Sequence, residues 1–392
     1  MERIGIYGGS FNPLHVGHLR AAIYARQTLS LDRLLLIPSA VSCHKAVPEN
    51  TSSDTQRLQM LQLALSDYEG VEVCDLELRR GGISYTWQTL AELRQQYPDA
   101  EFVLLMGTDM FLSFHNWRYP ERIIAEASLA VLNRNTKQDA AITEQKSRLE
   151  TMGAKVQFVD NPVIQISSTQ LRRMLAFDCA VPFLDPQVSS YIRENGLYGT
   201  DRDLRNLPMD QLEQTVISLL KPDRVAHVLG CRDTAADMAK RWGVDETDAA
   251  RAGLLHDITK ALDGPLQLTL CEAYGVQLDD FSQENPKTLH ALTGSLVAEK
   301  IFGENEAVVS AIRSHTTGKA DMNTLEKIIY VADYMEPNRK FPGVEQLRQL
   351  AYSNLDKALQ LGLEMTLGVL VEQGREISPE SQQALAWLKA HQ

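Results

Sequence analysis

Near its start the chain reads Gly8-Gly9-Ser10-Phe11-Asn12-Pro13-Leu14-His15-Val16-Gly17-His18, a glycine-rich stretch between a strand-like segment and a helical one. Residues 3–7 are typical of a short buried strand, and apolar residues recur at helical spacing from Leu19 to Leu29. A glycine loop lets the backbone approach a polyphosphate, and the following helix N-terminus supplies amide donors and a favourable dipole. The stretch therefore predicts a phosphate site in an α/β fold, with His15 and His18 as side-chain donors.

Further apolar runs alternate with helical patterns through the first half of the chain. They are Leu34 to Ile37, Val71 to Cys74, Phe102 to Met106, Leu129 to Leu132 and Val156 to Val159. This rhythm predicts a Rossmann-like, doubly wound parallel sheet with ligands at the carboxyl ends of its strands. The pattern closes with a helix around Gln187 to Glu194 and a glycine-containing stop at residues 195–199.

The two histidines form the HxGH signature of the nucleotidyltransferases, and the longer string resembles the bacterial nicotinate-nucleotide adenylyltransferases. The resemblance implies an enzyme that transfers AMP from ATP to nicotinate mononucleotide, giving nicotinate adenine dinucleotide and pyrophosphate, one step before NAD. Such a transfer needs positioned reactants and neutralised charge but no covalent intermediate. The resemblance implies that ATP contacts six residues of the string: Gly8, Gly9, Ser10, Phe11, His15 and His18.

Two later motifs supply further ATP contacts by the same resemblance. Lys45 ends the segment 37–45, which departs from the family's shorter PxxPHK pattern; Lys45 is expected to reach the triphosphate, and His44 is left open. The segment 166–172 resembles the family's ISSTxIR motif, with Ser167 or Ser168 as helix cap. Arg172 and the amides of that helix start would hold the phosphates that leave as pyrophosphate. We expect Mg²⁺ with the ATP phosphates, mostly ligated by water.

Two segments bear on which mononucleotide is used. The segments 84–90 and 106–117 are similar to those that build the pyridine pocket of that family. By this resemblance Trp117 stacks on the nicotinate ring, amides near Thr86 receive its carboxylate, and Asp109 borders the ribose. The alternative is a transferase with the same HxGH core that acts on phosphopantetheine or glycerol phosphate, and both segments oppose it.

The length, charge and cysteine content of the chain limit its domain number, its partners and its cellular compartment. A chain of 392 residues predicts two or three domains. The formal net charge of −12, without a Lys/Arg-rich block, argues against nucleic acid or a membrane surface as partner and leaves small-molecule nucleotides. Five cysteines without a CxxC pair, and no apparent export or membrane-spanning segment, favour a cytoplasmic protein. The oligomeric state stays open.

From about Met209 the patterns are helical only, so we expect an α/β domain at 1–200, a polar linker at 201–208 and an all-helical domain at 209–392. The expected helices are Leu212 to Leu220, Val225 to Trp242, Asp248 to Leu255, Leu289 to Phe302, Val308 to Ile312, Thr324 to Met335 and Val344 to Leu370.

A His-Asp dipeptide, His256-Asp257, ends one of these helices. A neutral imidazole beside a carboxylate suits a divalent metal. The order of His227, His256-Asp257, His290, His315 and Asp333 resembles the HD phosphohydrolase superfamily in its two-metal form. The resemblance implies one metal on His227, His256, Asp257 and Asp333, and a second on His290 and His315 that Asp257 bridges. A bridged pair activates water and clamps the oxygens of a phosphoanhydride.

Residues 315–318 and 333–337 look like the bacterial HD family that splits diadenosine tetraphosphate into two ADP. The resemblance implies a pair of iron ions, and His/Asp ligation also admits manganese. Arg339 and Lys340 are either polyphosphate contacts or solvated cations. The alternatives for this domain are hydrolysis of another nucleotide and a regulatory nucleotide-binding module; a bridged pair with open positions favours catalysis.

Overall fold

The computed structural model describes residues 1–42, 52–132, 140–164 and 166–391. The chain divides into two compact units, residues 1–202 and residues 203–392, which are called the first and second unit below.

The first unit contains a six-stranded parallel sheet and a two-stranded parallel pair. The six strands lie in the order β4-β2-β1-β6-β7-β8, and β3 pairs with β5. The strand bounds are β1 Arg3–Gly9, β2 Arg33–Pro38, β3 Val41–Ser42, β4 Val71–Val73, β5 Ile83–Ser84, β6 Glu101–Gly107, β7 Ala127–Leu132 and β8 Val156–Val159. Every apolar run expected to be a strand is one.

Continuous apolar runs form the central strands because both faces of this sheet are buried. Ile6 at the middle of β1 stands in register with Leu35 of β2 on one side and Leu104 of β6 on the other, and all three are at most 4% exposed. The chain leaves β1 toward β2 and later enters β6 on the opposite side. The carboxyl ends of β1 and β6 therefore flank the crevice where a doubly wound sheet binds its ligands.

Nine α-helices accompany the strands of the first unit in its described part. They are α1 Val16–Thr28, α2 Asp54–Leu65, α3 Leu76–Arg80, α4 Thr86–Gln96, α5 Thr108–Ser113, α6 Pro120–Glu126, α7 Ala140–Thr151, α8 Ser168–Ala176 and α9 Pro186–Glu194. Short 3₁₀ turns lie at Phe114–Asn116, Val181–Phe183 and Leu197–Gly199.

The second unit is helical throughout its described residues. Its helices are α10 Met209–Leu219, α11 Pro222–Trp242, α12 Glu246–Leu255, α13 Gly264–Ala273, α14 Asp280–Glu284, α15 His290–Lys300, α16 Glu306–Ser314, α17 Thr324–Met335, α18 Val344–Ser353, α19 Leu355–Glu372 and α20 Pro379–Ala390, with a 3₁₀ turn at Pro286–Leu289. The core lies where α11, α12, α16 and α17 pack together.

The prediction of one helix in this unit was wrong. The pattern from Val344 to Leu370 predicts a single helix, but the structure has two, because Asn354 leaves the helical conformation with φ −155° and ψ 97°. Its side chain then accepts a hydrogen bond from the backbone N–H of Lys357 and caps α19. Apolar periodicity alone does not register this break, since both helices present apolar residues to the same core. The helices α13, α14 and α20 were not expected.

Two smaller findings concern expectations from composition. Among the described residues, no helix is long and apolar enough to cross a membrane. The structure describes Cys74, Cys179, Cys231 and Cys271, and none of these four cysteines forms a disulfide.

Candidate active sites

The histidines of the first unit stand where β1 passes into α1. His15 caps α1, and its Nδ1 accepts a hydrogen bond from the backbone N–H of His18 at 3.4 Å. The two imidazole rings stack with centroids 3.7 Å apart and planes at 27°. A Cβ on Gly17 would lie 3.1 Å from Nδ1 of His15 and 3.3 Å from the carbonyl oxygen of Ile164, so glycine allows this close stack. Because the Nδ1 of His15 accepts, its Nε2 carries the proton of the neutral ring.

The loop between β1 and α1 is held by buried hydrogen bonds. Asn12 accepts at Oδ1 from the hydroxyl of Tyr198 at 2.7 Å and from that of Ser52 at 2.9 Å. Arg57, which is 3% exposed, donates from Nη1 to the carbonyl oxygen of Ser10 at 2.8 Å. Phe11 adopts a positive φ of 43°, which a bulky residue keeps only where its surroundings enforce it. The loop is therefore fixed before any ligand arrives.

The serine motif of α8 meets the same loop. Arg172 donates from Nη1 to the carbonyl oxygen of Asn12 at 2.8 Å, which joins residues 160 positions apart. Ser167 is the helix cap and forms a capping box with Gln170; Ser168 is the first residue of α8. Burial lowers the pKa of Arg172, but arginine stays charged at neutral pH. The start of α8 and one guanidinium are thereby brought to the loop that carries His15 and His18.

The residues expected to bind the mononucleotide follow two other strands. Thr86 begins α4 directly after β5. Asp109 lies in the first turn of α5, and Trp117 follows the 3₁₀ turn after that helix. Trp117 is partly buried against the core, with its ring centroid 5.0 Å from that of Phe114.

Lys45 and His44 lie outside the described residues. Sequence patterns do not predict that Ser52, Arg57 and Tyr198 lie near the loop, and they indicate no role for Asn12. Tyr198 stands in a segment that the sequence indicated only as a helix stop. Tyr198 lies 186 residues from Asn12, so no local sequence pattern predicts this contact.

The second unit brings all six expected metal ligands together. The Nε2 of His227 lies 3.1 Å from Oδ1 of Asp333 and 3.2 Å from Nε2 of His256. Oδ2 of Asp257 lies 3.7 Å from Nε2 of His227 and 3.5 Å from that of His256. Its other oxygen, Oδ1, faces the remaining pair, 3.5 Å from Nε2 of His290 and 3.8 Å from that of His315. One carboxylate thus stands between two groups of ligands.

These separations suit divalent metal ions. Two ligand atoms about 2.1 Å from one ion lie about 3.0 Å apart at a right angle and about 3.4 Å apart at a tetrahedral angle. Most of the distances above lie near this range. Two overlapping groups of three potential ligands emerge: His227 with His256 and Asp333, and His256 with Asp257 and His315. The donor set therefore fits a divalent metal centre.

The four imidazoles are oriented by contacts at their other ring nitrogen. The Nδ1 atoms of three of them lie close to carbonyl oxygens of the residue three positions earlier in the chain: His256 to Gly253 at 2.8 Å, His290 to Lys287 at 3.0 Å and His315 to Ile312 at 2.6 Å. The Nδ1 of His227 lies 3.1 Å from Oε1 of Glu336. An Nδ1–H donated to oxygen leaves the Nε2 lone pair for a metal, which is how such ligands are usually fixed.

The charges of the site fit the same role. Burial opposes the ionised form of Asp257 and of Asp333, but the surrounding histidines hold the pKa of both carboxyls well below its usual range. Burial, followed by the charge of Lys260, lowers the pKa of His290 to about 3. Metal ligation requires ionised carboxylates and neutral imidazoles, and Asp257, Asp333 and His290 are in those states at neutral pH. His256 differs: despite its burial, Cys231 and Asp257 raise its pKa well above the usual range, so this imidazole would release a proton when a metal binds.

Several neighbours of these ligands were not expected. Arg224 donates from Nε to Oδ2 of Asp257 at 2.7 Å, and Lys260 Nζ lies 2.8 Å from Nε2 of His290. Glu336 follows Asp333 by three residues at the end of α17, and its contact to His227 joins α17 to α11. Arg339 donates from Nη2 to Oδ1 of Asp333 at 2.7 Å, so it is not a freely solvated cation. Lys340 is exposed.

Comparison with known proteins divides the chain in the same way. Residues 6–174 match the family model described as cytidylyltransferase-like. A probable nicotinate-nucleotide adenylyltransferase from Dictyoglomus turgidum is 35% identical over 197 residues, which cover 50% of this chain and 95% of that protein. Through its first half, the chain belongs to the nicotinate-nucleotide adenylyltransferase family. A relative of the same name from Aeromonas hydrophila is 36% identical over 208 residues and is covered to 96%.

The second half has a separate match. Residues 224–338 match the HD domain model. A solved structure from Clostridium acetobutylicum, described as a predicted HD superfamily hydrolase involved in NAD metabolism, is 36% identical, covering 47% of this chain and 99% of that one at a TM-score of 0.46. The chain therefore joins a Rossmann-like nucleotidyltransferase domain to a helical HD domain, a type of domain that usually binds divalent metals.

Proposed function

We propose that the first unit transfers AMP from ATP to nicotinate mononucleotide and releases pyrophosphate. The observation that carries this proposal is the meeting of the stacked His15 and His18 with Arg172 at one loop, beside the N-terminus of α1. The mononucleotide phosphate attacks the α-phosphorus of ATP, and the bond to the bridging oxygen of pyrophosphate breaks. The imidazoles donate hydrogen bonds to the phosphate oxygens, and the charge of Arg172 balances the leaving group.

The other residues of the first unit take supporting roles in this proposal. Gly8, where an added Cβ would meet nothing within 4 Å, leaves room for the nucleotide, and Gly9 lets the ring of Phe11 pack against the loop. The cap at Ser167 aims the amides of α8 at the phosphates. Lys45 supplies a further cation. Mg²⁺ would accompany the ATP phosphates and neutralise their charge. The nicotinate ring would lie on Trp117, with its carboxylate on amides near Thr86 and the ribose beside Asp109.

A substrate panel tests the first activity. The full chain is supplied with ATP and Mg²⁺ and with one acceptor at a time: nicotinate mononucleotide, its amide form, or phosphopantetheine. Pyrophosphate release is measured. We expect the acid mononucleotide to be used best. Turnover of phosphopantetheine alone would replace this assignment by another transferase of the same fold.

We further propose that the second unit is a dinuclear metal hydrolase that splits diadenosine tetraphosphate into two ADP. The observation that carries it is the carboxylate of Asp257, whose two oxygens face different pairs of imidazoles. Bound metal ions, iron or manganese, would activate water and stabilise the charge on the phosphate oxygens. Water adds to one central phosphorus, the anhydride bond to the other central phosphate breaks, and each half leaves as ADP.

Protein residues prepare this step. Glu336 and the carbonyl oxygens of Gly253, Lys287 and Ile312 hold the imidazoles so that their Nε2 atoms converge. Arg224 and Arg339 hold the carboxylates of Asp257 and Asp333 from the outside and add positive charge near the polyphosphate. A module that only sensed nucleotides would not require two sets of ligands around one bridging carboxylate.

The second activity is tested on the full chain loaded with manganese or iron. Diadenosine tetraphosphate is added and the products are separated by ion-exchange chromatography. We expect ADP as the only nucleotide product, and Asp257→Ala is expected to abolish its release while leaving adenylyl transfer intact. ADP release that persists in Asp257→Ala would remove the hydrolase assignment and favour a regulatory module. Products other than ADP would assign a different cleavage.

A further inference from the structure

The hydroxyl of Thr316 faces two imidazoles of the metal centre in the second unit. Its Oγ1 lies 3.0 Å from Nε2 of His290 and 3.1 Å from Nε2 of His315. Residues 315–318 carry part of the resemblance to the HD family, yet the six histidine and aspartate ligands leave Thr316 without a role. Its contacts are with the same two nitrogen atoms that are expected to bind the second ion.

The turn that carries Thr316 is fixed on both sides. It follows α16, and Gly318 reverses the chain at φ 68° while its N–H donates to the carbonyl oxygen of Ser314 at 2.9 Å. The hydroxyl of Ser381 on α20 donates to the carbonyl oxygen of Thr317 at 2.8 Å. Thr316 itself is partly buried. The backbone therefore places the Thr316 side chain beside the two imidazoles.

This group of atoms has more lone pairs than hydrogens. Nδ1 of His290 and of His315 each lies beside a carbonyl oxygen, so both Nε2 atoms are acceptors in the neutral rings that metal ligation requires. Oδ1 of Asp257, at 3.5 and 3.8 Å from them, is a third acceptor. Lys260 donates to His290, which leaves the one hydrogen of Thr316 for His315. The hydroxyl oxygen and Nε2 of His290 then stand 3.0 Å apart without a hydrogen between them, and a cation relieves this contact.

The separations match those of atoms that bind one ion. Two ligand atoms about 2.1 Å from an ion lie about 3.0 Å apart at a right angle. Oγ1 of Thr316 stands at this separation from both nitrogens. A serine or threonine hydroxyl is a hard, neutral ligand, and phosphate-binding loops use it to hold Mg²⁺. Because such a ligand carries no charge, it leaves the positive charge of the ion available to phosphate oxygens.

We propose that the hydroxyl oxygen of Thr316 is a ligand of the second ion, together with His290, His315 and Oδ1 of Asp257. The proposal rests on the two-metal centre proposed above and adds a ligand of a different chemical kind to it. Lys260 gives up its hydrogen bond to His290 when an ion binds there. Oxygen ligands suit manganese better than zinc, which favours four-coordinate sites of nitrogen and sulfur. The hydroxyl therefore shifts the preference of the second site toward manganese.

Three variants test this ligand. Thr316→Val keeps the branched shape and removes the hydroxyl, whereas Thr316→Ser keeps the hydroxyl and removes only the methyl group. Thr366→Val is the matched control, because Thr366 lines the same cavity but donates its hydrogen to the carbonyl oxygen of Gly362 within α19 at 2.9 Å. Thermal unfolding and adenylyl transfer by the first unit check that each chain is folded.

Metal binding is measured without any nucleotide. The full chain is freed of metal with a chelator and dialysed to equilibrium against manganese. We expect the unmodified chain to bind two ions and to show the electron paramagnetic resonance spectrum of a spin-coupled manganese pair. In Thr316→Val the affinity for one ion should fall about tenfold or more, since loss of a residue that merely supports a ligand already costs roughly 10- to 100-fold. The spectrum should change to that of isolated ions, and Thr316→Ser and Thr366→Val should resemble the unmodified chain.

A hydroxyl that only forms hydrogen bonds with the imidazoles would give the opposite result. It would compete with the ion, so its removal would leave manganese affinity unchanged or raise it, and either outcome overturns the proposal. An equal loss for both ions in Thr316→Val would assign the residue to the shape of the whole site and would also overturn it. Zinc affinity should fall less than manganese affinity. An equal fall for zinc counts against a ligand, because a structural contact does not distinguish between ions.

Failure of this ligand and failure of the hydrolase function give different results. Two ions that depend on Thr316, in a chain that releases no ADP from diadenosine tetraphosphate, support the ligand and remove the proposed reaction. Hydrolysis that continues while Thr316→Val binds both ions unchanged keeps the reaction and overturns the ligand. A single ion in the unmodified chain would overturn both, since it removes the second site.

Discussion

Tyr198→Phe is expected to slow adenylyl transfer, although the tyrosine lies nearly two hundred residues from the histidine motif. The substitution removes one hydroxyl, whose 2.7 Å donation to Oδ1 of Asn12 helps to hold the loop before α1. Ser52 still donates to the same oxygen. Loss of one partner in a buried hydrogen bond costs about 1–3 kcal/mol. If the loop geometry is needed chiefly in the transition state, this cost corresponds to a roughly 5- to 150-fold fall in kcat.

The ionisation of Tyr198 predicts how this effect depends on pH. Burial raises the pKa of Tyr198 to about 12, so its hydroxyl stays protonated and able to donate at neutral and mildly alkaline pH. The ratio of wild-type to variant kcat should therefore be flat from about pH 6 to 10. A ratio that falls within this window would mean that the hydroxyl loses its proton in the working range.

The assay is pyrophosphate release with ATP and nicotinate mononucleotide, recorded for both kcat and KM. Tyr191→Phe, which removes a hydroxyl from helix α9, is the matched control, and thermal unfolding checks that both variants are folded. We expect kcat to fall with little change in the KM for the mononucleotide. Hydrolysis by the second unit should be unaffected. A kcat within twofold of wild type in Tyr198→Phe refutes the positioning argument.

Three further outcomes are expected. Glu336→Gln, which removes the carboxylate beside Nδ1 of His227, should weaken manganese binding roughly 10- to 100-fold in equilibrium dialysis. Gly17→Ala, whose Cβ would stand 3.1 Å from Nδ1 of His15, should lower kcat for adenylyl transfer about tenfold, because overpacking costs about 1–3 kcal/mol. Burial raises the pKa of Cys271 to about 11, so iodoacetamide at pH 8 should leave it unmodified, as mass spectrometry would detect.

Each of these outcomes has a control. Glu345→Gln removes an exposed carboxylate of the same unit and should leave manganese affinity unchanged. Gly81→Ala tests a glycine without close contacts, although its positive φ gives the alanine some strain. Cys271 should react with iodoacetamide once the chain is unfolded. Unchanged metal affinity in Glu336→Gln, unchanged kcat in Gly17→Ala, or rapid native labelling of Cys271 would contradict the respective argument.

The six strands of the larger sheet were predictable because parallel strands buried on both faces are continuous apolar runs with little else to imitate them. The short strands β3 and β5 were not predicted. The histidine stretch was predictable for a related reason, since its glycines and helix start are adjacent in sequence. The helices α13, α14 and α20 were not predicted, which shows the limit of prediction from apolar periodicity. So does the single helix expected from Val344 to Leu370, where Asn354 breaks the backbone without interrupting the apolar period.

The sequence by itself determined the six strands of the larger sheet, the two kinds of fold and the candidate ligands from His227 to Asp333, because each depends on residue type and on spacing along the chain. Only the tertiary structure decided which side chains of separate segments contact each other. It turned the two oxygens of Asp257 toward different imidazoles, placed Glu336 behind His227 and brought Tyr198 to Asn12. These contacts join residues up to 186 positions apart. These contacts form because the packing of helices and strands fixes the positions of the side chains. Distance along the sequence does not indicate which of them are close in space.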